Sequence, residues 1–231
     1  MRWLRMLLLG LISALLVPAS AQAAEKDTGV RVDKEKRTVT IDAKIAPRKL
    51  DDPKFEGKTW PVEVVACWAY PKGQKSHETV VNIDCKPGDV HKAIESLGLK
   101  PGKPAKAEGQ VPQGPEVKIY LEIPGDDGQP KRVPIERTMI DPKTNKPLPK
   151  TMRWRFTGSA MVQPDPDKPE KVYGADRTGT LIAIFPVTDE TVFQTNLTLK
   201  EEKYLKLETN PEVVPKVGTA VKLVIEVPEA K

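Results

Sequence analysis

The chain has 231 residues, of which 37 are Lys or Arg and 32 are Asp or Glu, so its formal net charge at pH 7 is +5. Because basic and acidic residues are interspersed along the chain, the pattern is typical of a solvated surface and excludes an obvious nucleic-acid-binding stripe. The 23 prolines and 15 glycines recur at short intervals, and no purely flexible linker divides the chain. We therefore expect a single domain.

The N-terminus predicts a secretory signal peptide. Arg2 and Arg5 flank the start of an apolar run of twelve residues at 6–17, and A-Q-A at 21–23 supplies the small residues of a cleavage site. The run is shorter than the roughly 20 residues of a membrane-spanning helix, and no later segment is long and apolar enough to be one. We therefore expect a Sec-type signal at residues 1–23 and a soluble periplasmic or extracellular domain without a transmembrane segment.

Alternation of apolar and polar residues predicts β-strands over most of residues 24–231. The clearest examples are residues 38–45, 117–123 and 221–227, where every second residue is apolar. Turn sequences rich in Pro, Gly and Asp separate the candidate strands. Further strands are predicted near 29–33, 62–70, 79–85, 131–137, 153–162, 170–176, 180–185 and 203–208.

One segment has helical spacing instead of alternation. Residues 87–97, P-G-D-V-H-K-A-I-E-S-L, contain a proline in the first turn and are followed by a glycine that would end a helix. The apolar face predicted to pack on a sheet comprises Val90, Ala93, Ile94 and Leu97. A shorter helical turn is predicted at 190–196. The predicted fold class is therefore α+β, a mostly antiparallel β-sheet with one principal amphipathic helix at about 87–97.

The two cysteines and two histidines all fall between Cys67 and His91. Their spacing, C-x9-H-x7-C-x5-H, lacks the close ligand pairs of zinc sites, and two thiolates are too few for a [4Fe–4S] cluster. No metal and no cofactor is therefore predicted. If the strands near 62–70 and 79–85 form a hairpin, Cys67 and Cys85 lie about 13 Å apart, which favours free thiols. A disulfide is the alternative, because it is usual in exported proteins.

His77 is the strongest candidate site residue. It lies in P-K-G-Q-K-S-H-E, a predicted loop or strand start, and Glu78 beside it could orient the ring or share a polar ligand. Asp176 is the third candidate for a ligand-binding group. Convergence of the three side chains in a cleft would favour chemistry, whereas dispersal would favour an interaction module. His91, on the predicted helix, is interpreted as a partly exposed surface residue or a hydrogen-bonded packing histidine.

Several motifs resemble those of the YdjY-domain proteins of bacteria. They are P-V-E-V-V-A-C at 61–67, K-S-H-E-T-V-V at 75–81, D-C-K-P-G-D-V-H-K-A-I-E-S-L at 84–97, W-R-F-T-G-S at 154–159 and Y-G-A-D at 173–176. The resemblance spans about residues 28–227 and implies an exported bacterial domain of undefined molecular function.

From these observations we expect a non-catalytic binding or scaffolding module of the bacterial envelope. Its partner would be an envelope protein or a small ligand, and not nucleic acid. The alternative is an extracytoplasmic, hydrolase-like enzyme that uses the region of His77 and Glu78.

Overall fold

The computed structural model describes residues 28–125, 127–149 and 151–229. The predicted signal peptide, residues 1–23, lies outside these ranges. Within them, every helix is too short or too polar to cross a membrane.

The described residues form short strands with a few helical segments between them. The strands are β1 (Val30–Asp33), β2 (Thr38–Ile45), β3 (Val64–Trp68), β4 (Thr79–Ile83), β5 (Glu116–Pro124), β6 (Pro130–Pro134), β7 (Met139–Asp141), β8 (Lys146–Pro147), β9 (Trp154–Phe156), β10 (Met161–Val162), β11 (Val172–Tyr173), β12 (Thr180–Ala183), β13 (Phe193–Thr195), β14 (Glu208–Thr209) and β15 (Ala220–Glu226). The helices are α1 (Pro87–Ser96), α2 (Gly174–Thr178) and α3 (Leu199–Tyr204), with 3₁₀ turns at Pro53–Phe55, Ser76–Glu78 and Ile135–Thr138.

Eight strands close into a barrel in the order β2-β15-β5-β9-β13-β12-β3-β4, because β4 pairs back onto β2. The β12–β13 and β3–β4 pairs are parallel, and the other six are antiparallel. β1 and β6 add to this sheet by pairing with β2 and β5. Two small sheets, β10-β11 and β14-β7-β8, lie apart from it.

The predicted fold class is therefore wrong. The chain forms a closed, mixed β-barrel with three short helices in its described part, not an α+β fold with a mostly antiparallel sheet and one principal amphipathic helix. Alternation identifies a half-buried strand but carries no information on its partner or direction. The sequence pattern therefore could not show that β3 and β4 run parallel, or that the sheet closes.

The helix predicted at 87–97 is nevertheless present as α1, ten residues long, and it is the longest helix in the described residues. Its predicted apolar face is buried in the core, as shown by Val90, Ala93, Ile94 and Leu97. α1 contacts β1, β2 and α2. It covers one end of the barrel instead of lying across the face of an open sheet.

The barrel has two ends that matter for the site. Parallel strands β3 and β4 both run toward the end where α1 and α2 lie, which we call the helix end. They begin at the opposite end, where the Ser76–Glu78 turn leads directly into β4, and we call this the turn end. The loop 69–78 joins the two ends, since Gln74 N–H donates to the carbonyl of Thr178 before the chain reaches the turn.

Three local predictions in the C-terminal half are wrong. The strand predicted at 170–176 contains only the two residues of β11 and the start of α2. Residues 190–196 contain strand β13 and not a helical turn, and residues 203–208 contain the end of α3 and the start of β14. Strand β13 was hidden by Gln194, a polar residue that is fully buried. The Oε1 atom of Gln194 accepts a hydrogen bond from the N–H of Ala105, and its Nε2 donates to the carbonyl of Ala105. The buried amide therefore has hydrogen-bond partners without solvent.

Candidate functional site

At the turn end, His77 and Glu78 belong to a network of charged side chains. The Nε2 atom of His77 lies 3.2 Å from Glu78 Oε1. Lys75 Nζ donates to Glu78 Oε2 at 2.7 Å and to Glu63 Oε2 at 3.1 Å. Lys75 therefore lies between two carboxylates, one from the turn and one from the residue preceding β3.

Burial sets the electrostatics of this network. Burial alone would raise the pKa of Glu78, but hydrogen bonds from His77 and Lys75 outweigh it and hold that pKa well below its usual range. Burial, followed by the nearby charge of Glu78, raises the pKa of Glu63. Burial opposes the charge on Lys75, but its bonds to the two carboxylates raise its pKa on balance. The network is thus an ion cluster centred on Lys75 and Glu78.

Arg48 and two aromatic rings hold the histidine in place. The Arg48 guanidinium donates to the carbonyl of His77 at 3.1 Å and to the carbonyl of Trp60. The His77 ring packs at 4.6 Å from the Phe55 ring and at 5.8 Å, edge to face, from the Trp60 ring. The side chain of His77 is accordingly only 16 % exposed.

Several polar atoms at this end have no hydrogen-bond partner among the described residues. These buried atoms are Arg48 Nε, Ser76 Oγ and His77 Nδ1. Unpaired buried polar atoms are few in native proteins and mark places where solvent or a ligand supplies the missing bond. The turn end therefore has unused hydrogen-bonding capacity beside the His77 and Glu78 pair.

Asp176, the third predicted site residue, lies on α2 at the helix end. Its Oδ1 accepts a hydrogen bond of 2.6 Å from the N–H of Gly88 in the first turn of α1. The residue before α1, Lys86, contributes no side-chain cap, so Asp176 caps α1 from a distant part of the chain. A side chain at position 88 would bring a Cβ to within 2.6 Å of the carboxylate, which explains the glycine.

The predicted site residues therefore do not converge. His77 and Glu78 lie where β4 begins, whereas Asp176 lies beyond the end where β4 finishes. From its first residue to its last, β4 spans about 13 Å, since it has five residues and rises roughly 3.3 Å per step. The carboxylate of Asp176 accepts from the N–H of Gly88 in α1, whereas the carboxylate that contacts the His77 ring is that of Glu78.

At the helix end, His91 is a packing histidine as interpreted from the sequence, and it belongs to a hydrogen-bonded group whose other members the sequence did not identify. His91 Nδ1 lies 2.6 Å from the hydroxyl of Tyr173, and Nε2 lies 3.4 Å from Glu95. The Tyr173 oxygen also accepts a hydrogen bond of 3.1 Å from the N–H of Ser159. Burial lowers the pKa of His91 and raises the pKa of Tyr173. This group joins α1 to β11 through a neutral, packed ring.

Cys67 and Cys85 are both buried and free, as expected, although the reason given for it is wrong. β3 and β4 form a parallel pair and not a hairpin, with Cys67 opposite Asn82 and Cys85 two residues beyond the end of β4. Burial raises the pKa of each thiol to about 12. Because the thiolate is the nucleophilic form, neither cysteine is activated at neutral pH.

Taken together, the geometry defines a small closed β-barrel domain of mixed strand direction, capped by one helix, with internally paired charges at both ends. The sequence model of the YdjY domain matches residues 30–226. The chain therefore belongs to the YdjY domain family, as its motifs indicated. No curated protein and no solved structure matches it.

Proposed function

We propose that the protein is an exported, non-catalytic binding module of the bacterial envelope. The observation that supports this most directly is that His77 and Glu78 lie at the start of β4, whereas Asp176 lies beyond its other end. Each of these carboxylates has a partner within the chain, and both thiols have a raised pKa. An enzyme would instead need a nucleophile or base and its orienting group aimed at one shared space.

Export is part of this proposal and has its own test. The chain is expressed in full in a bacterial host, and the mass of the protein recovered from the envelope fraction is measured. A protein that begins at Ala24 is the expected result, because A-Q-A at 21–23 closes the apolar run. An uncleaved chain that remains with the inner membrane would contradict export.

Binding is tested with the protein recovered from that fraction. Immobilised on a resin, it is expected to retain one component of a native envelope extract saturably, and the eluted component should be chemically unchanged. An equal load of the extract on a resin carrying the heat-denatured chain serves as the control. Retention that does not saturate, or that the denatured chain reproduces, would contradict specific binding.

One observation favours the alternative, an enzyme at the turn end. The Nε2 atom of His77 lies beside the carboxylate of Glu78, and its Nδ1 atom is buried without a hydrogen-bond partner in the described residues. A carboxylate–histidine pair of this kind can act as a general base once a substrate proton reaches the free nitrogen. His77→Gln removes this base, and time-dependent product formation that this substitution abolishes would support the enzyme.

A further inference from the structure

The barrel wall opens beside β5 because two neighbouring strands diverge from it. β9 pairs with β5 at Glu116 and Val117, and β6 pairs with it from Tyr120 onward. Between these ladders, no described strand pairs with β5 on this side at Lys118 and Ile119. The result is a groove of about 640 Å³, a size typical of small-molecule sites, which we call the β5 groove.

The floor of the β5 groove is apolar and fixed in position. The apolar lining residues include buried members of the core, namely Val117, Ile119, Leu148, Met152 and Trp154. The indole N–H of Trp154 donates to Glu136 at 2.7 Å, so the largest of these side chains is held by a hydrogen bond to the opposite wall. A preformed apolar floor favours a ligand with an apolar or aromatic body.

Three cations and two carboxylates line the β5 groove, namely Lys118, Arg137, Arg153, Glu116 and Glu136, so its net charge favours an anion. Lys118 is paired with Glu226 at 3.1 Å, and Arg153 lies 3.8 Å from Glu116. Arg137 also lines the groove, is exposed, and its guanidinium forms no ion pair or hydrogen bond within the described ranges. It is therefore a cation free to bind a carboxylate or phosphate in a planar, bidentate geometry.

A second groove of similar size gives an internal comparison. It measures about 630 Å³ and crosses the outside of β2, β15 and the end of β5. Three carboxylates and two lysines line it: Asp42, Asp84, Glu122, Lys44 and Lys222. Shape alone would not distinguish the two grooves, but charge does, because the acidic groups predominate in the second.

We propose that the β5 groove binds a small amphipathic anion, whose apolar or aromatic body lies on Ile119 and Trp154 and whose carboxylate or phosphate pairs with Arg137. This assignment rests on the proposed binding function and names the chemical class of its ligand. The same chemistry is found in free acids and in lipid-derived acids. The two differ in the length of the apolar body.

The test uses two probes of equal shape and different charge, 2-naphthoate and 2-naphthamide. Each is titrated into the isotope-labelled protein, and the amide and indole N–H resonances are followed by NMR. We expect saturable shifts centred on Ile119 and the Trp154 indole, with 2-naphthoate binding about fivefold more tightly, as one solvent-exposed charge pair permits. Decanoate in place of 2-naphthoate then reports whether a lipid-like chain or a compact ring is preferred.

Arg137→Gln is the matched variant, because this exposed side chain has no internal partner whose loss would disturb folding. It is expected to abolish the preference for 2-naphthoate while leaving 2-naphthamide binding unchanged. Lys222→Gln, in the second groove, should change neither affinity. Equal affinities of the two probes for the unsubstituted protein, or a preference that survives Arg137→Gln, would overturn the assignment.

The site of the shifts separates this inference from the proposed function. Shifts centred on the second groove, or the absence of saturable binding, would refute the β5 groove as an anion site. Retention of an envelope component by the same protein would then still support a binding module. Turnover of an envelope component would refute the binding module and leave the groove assignment to be decided by the NMR titration.

Discussion

Lys75→Met tests the ion network at the turn end most sharply. Lys75 lies 3.1 Å from Glu63 and 2.7 Å from Glu78, and the three side chains are 30 %, 20 % and 9 % exposed. The substitution keeps an apolar stem but leaves two partly buried carboxylates facing each other. Breaking a buried pair in this way costs about 3–5 kcal/mol. Because Lys75 keeps some contact with water, we expect the lower end, about 3 kcal/mol at pH 7.

Glu63→Gln supplies the control for this prediction. It preserves the shape of the side chain but removes one of the two opposed charges, so it should recover part of the stability lost in Lys75→Met. The expected coupling between positions 63 and 75 is about 1–2 kcal/mol. Urea denaturation of the four proteins at pH 7 measures it. Effects that add to within about 0.5 kcal/mol would show that the charges do not act as a network.

Three further predictions concern the helix end and the thiols. Ile94→Ala should lower the free energy of unfolding by about 2–5 kcal/mol, because the Ile94 side chain on α1 is fully buried. Lys92→Ala, at an exposed position of the same helix, should change it by less than about 0.5 kcal/mol. A urea midpoint of Ile94→Ala equal to that of the unsubstituted protein would contradict this packing. Asp176→Ala should cost about 1 kcal/mol and speed hydrogen exchange at Gly88, whereas Asp176→Asn, which keeps an acceptor, should cost less. Thiol titration without reductant should find two reactive groups in the denatured chain and none in the folded one, and a disulfide-linked chain would give none in either.

The strands with the clearest sequence pattern are those with one face in the core and one in water. Residues 38–45, 117–123 and 221–227 correspond closely to β2, β5 and β15, because their alternation reports that environment directly. The sequence of β3 shows no such alternation, since all but the last of its residues are buried. Its partner could not be predicted either, because a parallel pair depends on the path of the loop 69–78 and not on local pattern.

The candidate site was predicted only in part. The contact between Glu78 and His77 follows from their adjacency, and the structure contains it. Lys75 contacts Glu78 locally, at i,i+3 spacing across the turn, but Glu63 has the appearance of a surface charge in the sequence, and only the tertiary fold brings it to Lys75. α3 had a local signal that was overlooked, since Thr198 and Glu201 have the spacing of a capping box and form one.

The central claim is that this YdjY-domain protein binds a component of the envelope without converting it. The most direct measurement is to incubate a native envelope extract with a substoichiometric amount of the protein and to follow the components of the extract over time by mass spectrometry. Binding without turnover predicts that no component is depleted by more than one equivalent per chain, and that no product accumulates. Continued conversion beyond one equivalent, abolished by His77→Gln, would contradict the claim and establish an enzyme at the turn end.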